Sequence, residues 1–420
     1  MIKAALPCAQ PLALAQTLID DGHDVALLLS SLRTGYSGRY SYLAWGIEET
    51  ITGDRLDILT PCTQETYALP RWFGYIRYEA VHGIEDIPRT RTSHVTQPII
   101  RFHRFRHVVR FDHVSGEHQM QGIDALPHTS PFIMRAAPTL SAPHALMPYD
   151  EYIAHVEDAL SQIRAGQYYQ VNLTRKYIGT SEIPLPSNAA LCLFARLCEA
   201  SPAPYSALIS YKGHHILSSS PELFLSIDPQ RRITTRPIKG TAARHMQAEQ
   251  LHHSRKDRAE NLMIVDLMRH DIASSCQAGS VCVPRLWEVD SFSTLHHLSS
   301  TITGTLRPDK GIVDVLHDSF PPGSMTGAPK IAAMRWIAEH EGLQRGIYSG
   351  ALGWMNGQTC ELSVVIRTLI AQDRKYEFQV GGGIVADSNP DAEYRETLTK
   401  AQGLARAMGW DSARHTTITI

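Results

Sequence analysis

The feature that most restricts this chain is a succession of short strand-like segments joined by turns too tight to hold a crossover helix. Ala207 to Ser219 is broken at Lys212-Gly213, and Ser363 to Ala371 is followed through Asp373-Arg374 by Tyr376 to Val380. Two-residue connections of this kind make neighbouring strands antiparallel. Further strand-like stretches are Tyr168 to Tyr177, Leu223 to Ile227, Arg232 to Ile238, Thr301 to Leu306 and Tyr348 to Met355. Between them, Ile153, Val156, Leu160 and Ile163 fall at helical spacing and Gly166 follows, predicting a helix from Tyr149 to Ala165. Other helices are expected at Ala190 to Ala200, Ser254 to Cys276, Pro329 to His340 and Pro390 to Met408, the last capped by Asn389. Strands in adjacent runs with helices between the runs describe an α+β fold.

Before this region lie Trp72 to Tyr78 and Ile100 to Asp112, rich in aromatic and β-branched residues, so the first part of the chain reads as mostly β. Pro127, Pro131, Pro138 and Pro143 then punctuate a stretch of small and polar residues. The expected organisation is a β-rich region over 1–125, a linker over 126–148 and a second region over 149–420.

Forty Lys and Arg against 42 Asp and Glu leave a net charge of −2, with no block of like charges, which disfavours nucleic-acid or membrane-surface partners. Apolar runs such as Val25 to Leu29 are far too short to span a bilayer. The first residues lack the apolar core of a secretory signal, and seven scattered cysteines form no Cys-x-x-Cys pair. Reduced thiols, at least three of them in the core, and a cytoplasmic location are expected.

Phosphate-loop, dinucleotide and nucleophile-elbow motifs do not occur, and His252-His253 and His296-His297 make poor metal pairs. Carboxylates are more informative. Glu393, Glu396 and Lys400 share one face of the final helix, and Asp257 and Glu260 share a face of an earlier one. Carboxylates from two elements suit Mg²⁺ beside an anion; solvated helix faces with internal ion pairs have the same spacing. Three further segments suit an anion. Gly381-Gly382-Gly383 after a strand could turn backbone N–H groups outward, Gly323 to Gly327 precedes a helix N-terminus, and Arg367 interrupts an apolar strand from Leu362 to Ile370. Each also has a plain structural reading as a turn, a loop or an ion-paired residue.

Lys239 closes the strand of Thr235-Arg236-Pro237-Ile238-Lys239-Gly240-Thr241. At an ordinary pKa roughly 0.04% of its amine is neutral at pH 7, so a nucleophilic role needs a particular environment.

Taken together, these segments resemble the chorismate-utilising enzymes, a family that includes anthranilate, isochorismate and salicylate synthases. The likeness runs from about Tyr149 to Gly409, through Gln170-Val171-Asn172-Leu173, Ser220-Pro221-Glu222-Leu223-Phe224, the Arg236 to Thr241 segment and Glu260-Asn261-Leu262-Met263. It continues through His297-Leu298-Ser299-Ser300, Pro321 to Lys330, Tyr348-Ser349-Gly350-Ala351, Val365-Ile366-Arg367-Thr368, the Gly381 to Ser388 stretch and Glu393-Tyr394-Arg395-Glu396. The resemblance implies two facing, mainly antiparallel sheets with helices outside, like anthranilate synthase component I. It implies Mg²⁺ on Glu260 and Glu396, with Asp257 and Glu393 reaching it through water, against a chorismate carboxylate. Arg367, Tyr348, Lys400, Thr326 and the Gly381 to Gly383 backbone would then hold the substrate, with Thr241 and His297 along its ring.

Members that add water to the ring carry a lysine where this chain has Gln170, and an amide cannot take a proton from water. Anthranilate synthases have alanine where the members that form 4-amino-4-deoxychorismate have the lysine seen here as Lys239. The resemblance therefore favours that last branch, with Lys239 as covalent nucleophile and Glu222 as acid and base. Because no Gly-x-Cys-x-Gly glutaminase element is present, ammonia is expected from a separate glutamine amidotransferase subunit. Anthranilate formation, dual use, or a silent binding subunit are the rival readings. Leu28 to Ser31 with Gly38 to Ser41 resembles the tryptophan-binding element of anthranilate synthases. It makes Ser30, Arg39, Tyr40 and Ser41 a candidate pocket, although Ser30 replaces the usual glutamate.

Overall fold

A computed structural model describes residues 9–34, 37–243, 246–291 and 295–410; the extreme N-terminus with its leader reading, and Cys8, lie outside these. Every pairing between its nineteen strands is antiparallel. The strands form one hydrogen-bonded network that divides at Ile100–Asp112. That strand pairs with Tyr40–Gly53 on one side and with Trp72–Ile76 on the other. The first branch continues through Val25–Leu29, Tyr205–Tyr211, His214–Ser220, Thr368–Gln372, Lys375–Val385 and Gln170–Thr180. The second continues through Ala351–Asn356, Thr359–Val364, Leu223–Ile227, Arg232–Arg236 and Leu295–Thr305.

The two branches face each other across one apolar layer. Ala26, Ile209, Ile216 and Ile370 from the first pack with Phe73, Tyr75 and Leu352 from the second. Their strand neighbours, one residue along, point the other way: Leu27, Leu208, Leu217 and Leu369 pack beneath helices Ala9–Asp20 and Ser187–Ala200. Helices Arg255–Ala273 and Ile312–Ser319 cover the outer face of the second branch, through Ile264, Met268, Val315 and Leu316. The expected α+β class and facing antiparallel sheets are therefore present.

Local readings largely match. The first helix of the second half runs Tyr149–Arg164, with Gly166 left-handed at φ +77° just beyond it, and Asn389 caps Pro390–Ala407 by accepting from the Ala392 N–H at 3.0 Å. Five of the six described cysteines are buried. The first part is less purely β than its sequence suggested, since it opens on helix Ala9–Asp20 and holds two 3₁₀ segments, Leu56–Thr63 and Tyr78–Gly83. Alanine and leucine dominate the missed helix, and its apolar residues pack on the sheet, which is where its stability comes from. The proline-rich stretch is mostly irregular but fastened: the Gln16 side chain bonds both backbone groups of Ile133, and Arg135 pairs with Asp20 at 2.6 Å. Among the described residues, no helix is long and apolar enough to cross a membrane.

Candidate active site

Two sheet-to-sheet crossings build the centre of the site. The chain leaves the first branch at Ser220 and enters the second at Leu223, which places Glu222 in the gap. It returns from Val364 to Thr368, which places Arg367 in the adjacent gap. The crossings are tied together: the Val364 N–H donates to the Glu222 carbonyl at 3.0 Å, and the Ser219 N–H to the Arg367 carbonyl at 3.1 Å. The sequence placed Arg367 inside a continuous strand; instead it sits in the break, with φ +51°. That left-handed backbone aims its guanidinium at His297 Nε2, 3.5 Å away, and Ser201 Oγ, 3.4 Å away.

Lys239 arrives from the neighbouring edge. Ile238 pairs with Ser299 but Thr241 with His297, so the Lys239 side holds one extra residue, a β-bulge. Gly240 takes φ +84° there, and a Cβ on it would lie 2.9 Å from Asp257 Oδ1. The Lys239 side chain is 12% exposed; its Nζ donates to the Ser324 carbonyl at 3.1 Å and lies 3.6 Å from Glu260 Oε1. Burial pushes the Glu222 carboxyl up to about 7, although the Ser324 hydroxyl, Lys239, the Ile238 backbone and Arg367 favour its charged form. Burial brings Arg367 down to about 10, against the pull of Glu222. Burial, with Arg367 beside it, also holds His297 well below its ordinary value, so its ring is neutral. Of Thr241 only the backbone is described.

The glycine run differs from its sequence reading. Gly381 to Gly383 are not a turn after a strand; they lie within Lys375–Val385, paired with Thr174, Leu173 and Asn172. What they contribute is missing side chains. A Cβ on Gly383 would come 2.5 Å from Gln170 Nε2 and 3.0 Å from Glu260 Oε1. One on Gly382 would come 3.3 Å from Glu393 Oε2 and 3.7 Å from Glu396 Oε1. Three carboxylates from two helices thus meet over a floor kept clear by glycine. Glu393 is buried and pushed above the carboxylate range, first by that burial and then by the charges of Glu396 and Glu260. Glu396, half exposed, is pulled below it despite burial, chiefly by Lys400, whose Nζ lies 2.6 Å from Glu396 Oε1 and donates to the Gly381 carbonyl at 2.9 Å. Among the described residues no three His, Cys, Asp or Glu groups are already close enough to hold a cation. The cradle and its oxygen donors nevertheless have the chemistry that suits Mg²⁺, which would have to displace the lysine contacts to Glu260 and Glu396. Asp257 stands one turn before Glu260, against Gly240.

Gln170 is fully buried, and neither its amide oxygen nor its nitrogen has a hydrogen-bond partner, which marks a polar atom waiting for an occupant. Tyr348 is buried too; burial raises its pKa, and the Asn172 amide lies at its hydroxyl. Thr326, buried, bonds through its hydroxyl to the Gly323 carbonyl at 3.3 Å. Sequence reasoning missed Arg345, which lies in no motif. It is 2% exposed and joins the Met325 carbonyl at 2.6 Å, the Asn172 carbonyl at 2.7 Å and Glu341 at 2.7 Å, holding the Thr326 loop against the Gln170 strand. Ser324, inside the Pro321 to Lys330 segment, touches both Lys239, through its carbonyl, and Glu222, through its hydroxyl.

The N-terminal candidates separate. Ser30 and Tyr40 line a cavity of about 30 Å³ between the sheets, with Tyr42, Tyr205 and Glu361. Ser41 supports it by accepting the Ser30 N–H at 3.0 Å. Arg39 does not face the cavity; it pairs with Asp112 at 2.7 Å on the surface, because that carboxylate stands across the strand pair.

With this geometry in place, the comparisons are specific. Residues 39–406 match the family described as chorismate binding enzyme. This chain belongs to that family. It is 32% identical over 94% of its length to the aminodeoxychorismate synthase of Streptomyces griseus, covering 57% of that protein. It is 41% identical over 62% of its length to aminodeoxychorismate synthase component 1 of Escherichia coli, covering 58% of it. Anthranilate synthase component 1 of Aeropyrum pernix is 32% identical, with 98% of this chain and 96% of that protein aligned. The chain thus spans little more than half the length of several relatives it matches. Among solved structures, anthranilate synthase component I of Streptococcus pneumoniae superposes with a TM-score of 0.75 at 27% identity, over 89% of this chain and 94% of that one.

Proposed function

We propose that this chain forms 4-amino-4-deoxychorismate from chorismate and ammonia, as an aminodeoxychorismate synthase component I. The observation that carries the reading is Lys239, held off solvent within reach of Glu222's neighbourhood and aimed across the glycine-floored cleft. Lys239 adds to ring C2 as its own proton leaves, both ring double bonds shift by one position, and the C4 oxygen departs as water with a proton from Glu222. Ammonia then adds at C4 and gives a proton to Glu222, both double bonds shift back, and the lysine nitrogen leaves C2 and takes up a proton. A carboxyl poised near 7 can give a proton in the first half and take one in the second. Glu260 and Glu396, with Asp257 and Glu393 behind them, would hold Mg²⁺, which neutralises a substrate carboxylate when bound. Arg367, Lys400 and Tyr348 supply donors for a dianion, and neutral His297 lies along its ring. The buried amide at Gln170 leaves water without a base, which favours amine over water addition. A glutamine amidotransferase subunit is the proposed ammonia source, in keeping with the component 1 names of the relatives.

To test this, the pure chain is incubated with chorismate, Mg²⁺ and ammonium, and the product is identified by mass spectrometry. The reading requires 4-amino-4-deoxychorismate; anthranilate as main product overturns it.

A further inference from the structure

We propose a small-anion site, for a phosphate or carboxylate group, at the end of the inter-sheet layer opposite the Ser30 cavity, formed by Arg101, Tyr75, His103, Tyr211, Lys212 and His214.

Register places these side chains together. Tyr75 pairs with Arg101 and Phe73 with His103, so Arg101 and His103 share the face of the two inter-sheet aromatics. From the facing sheet, Tyr211 lies two residues beyond Ile209 and pairs with His214, which lies two before Ile216, and both isoleucines belong to the same layer. The strand from Ser206 to Tyr211 separates this end from the cavity by roughly 17 Å. Tyr211 is the hub: the His103 ring centroid lies 4.4 Å from it, the Arg101 guanidinium 5.2 Å and Lys212 Nζ 5.1 Å.

Four polar atoms here are buried without a hydrogen-bond partner: Arg101 Nε, Tyr75 Oη, His103 Nε2 and His214 Nδ1. Tyr75 and His103 are each 1% exposed. The other His103 nitrogen meets Thr50 Oγ1 at 2.9 Å, and a hydroxyl donating there leaves Nε2–H pointing into the site. Orphaned polar atoms gathered in one place are costly to bury, and an acceptor that met them together would remove that cost. The sign of the occupant follows from the charges. Neither Arg101 nor Lys212 has a carboxylate within ion-pair distance among the described residues. Two acids stand at the rim of the site: Asp24 accepts the Lys212 backbone N–H at 2.9 Å, and Asp373 acts on His214, while Arg101 and His103 are left to the basic side. Burial, then Arg101 and Lys212, hold His103 neutral at about 3, a field that an anion would relieve.

The test is a titration of histidine-labelled protein with inorganic phosphate, in parallel with malonate, following ring nitrogen resonances by NMR. The site requires saturable shifts at His103 and His214 with a millimolar or tighter dissociation constant, weakened at least about tenfold by Arg101→Met and less by Lys212→Met. Phosphate alone, malonate alone, or both producing the shifts identifies the anion class. Shifts equalled by sodium chloride at the same ionic strength, or unchanged in both variants, overturn the proposal. Lys212 is exposed, so its variant reports even where Arg101→Met fails to fold.

Discussion

Glu222 stands just before strand Leu223–Ile227 and Glu361 on its paired neighbour Thr359–Val364, and burial pushes both carboxyls up to about 7, yet their surroundings differ in kind. Around Glu222 stand Lys239, Arg367 and the Ser324 hydroxyl. Around Glu361 the group that offsets burial is the Trp354 indole, and the space it faces is the small cavity by Ser30 and Tyr42. A shifted carboxyl therefore does not locate chemistry by itself; the proposed site rests on a shielded lysine, a raised carboxyl and a buried arginine coming together.

The comparison breaks most severely if Lys239→Ala keeps its activity. The account requires a loss of at least about a thousandfold in kcat/KM for aminodeoxychorismate, with some anthranilate appearing as ammonia reaches C2 instead. Product analysis by mass spectrometry checks both. Next comes Glu222→Gln, expected to lower kcat by about 10²–10⁴-fold, while Glu361→Gln leaves the rate within about twofold. Equal losses in the two would erase the distinction between them. Gly383→Ala should depress turnover more than Gly382→Ala, since its methyl group meets Gln170 and Glu260 more closely than the other meets Glu393 and Glu396. Steady-state rates for the pair decide that order.

The smallest effect is thermodynamic. A carboxyl whose pKa is raised by folding is protonated in both states below the ordinary value near 4.3, so it costs nothing there. As pH climbs toward about 7, the unfolded chain sheds the proton while the folded chain keeps it, and stability falls. Glu361→Gln should remove that slope and raise stability above pH 7 by at most on the order of 3–4 kcal/mol, with little change at pH 4. Denaturant melts at the two pH values measure it.

Much of this is legible in the residues alone. Turn pairs such as Lys212-Gly213 forced antiparallel neighbours, and carboxylates at helical spacing on two helices pointed to one anionic face. Motif order supplied Lys239, Glu222 and Arg367. What escaped depended on contacts distant in sequence. The Lys239 bulge arises from its register with Ser299 and His297, and the glycine run is a strand because Asn172 to Thr174 pairs with it. Arg345 binds backbone carbonyls, which no residue pattern advertises.

The central claim is a bond between one lysine and the substrate ring. Quenching the chain with chorismate and Mg²⁺ in the absence of ammonia, followed by intact-mass and peptide analysis, should trap an adduct of chorismate less water on the peptide carrying Lys239. An unmodified lysine, in protein that goes on to make aminodeoxychorismate when ammonium is added and does so equally well as Lys239→Ala, would contradict it.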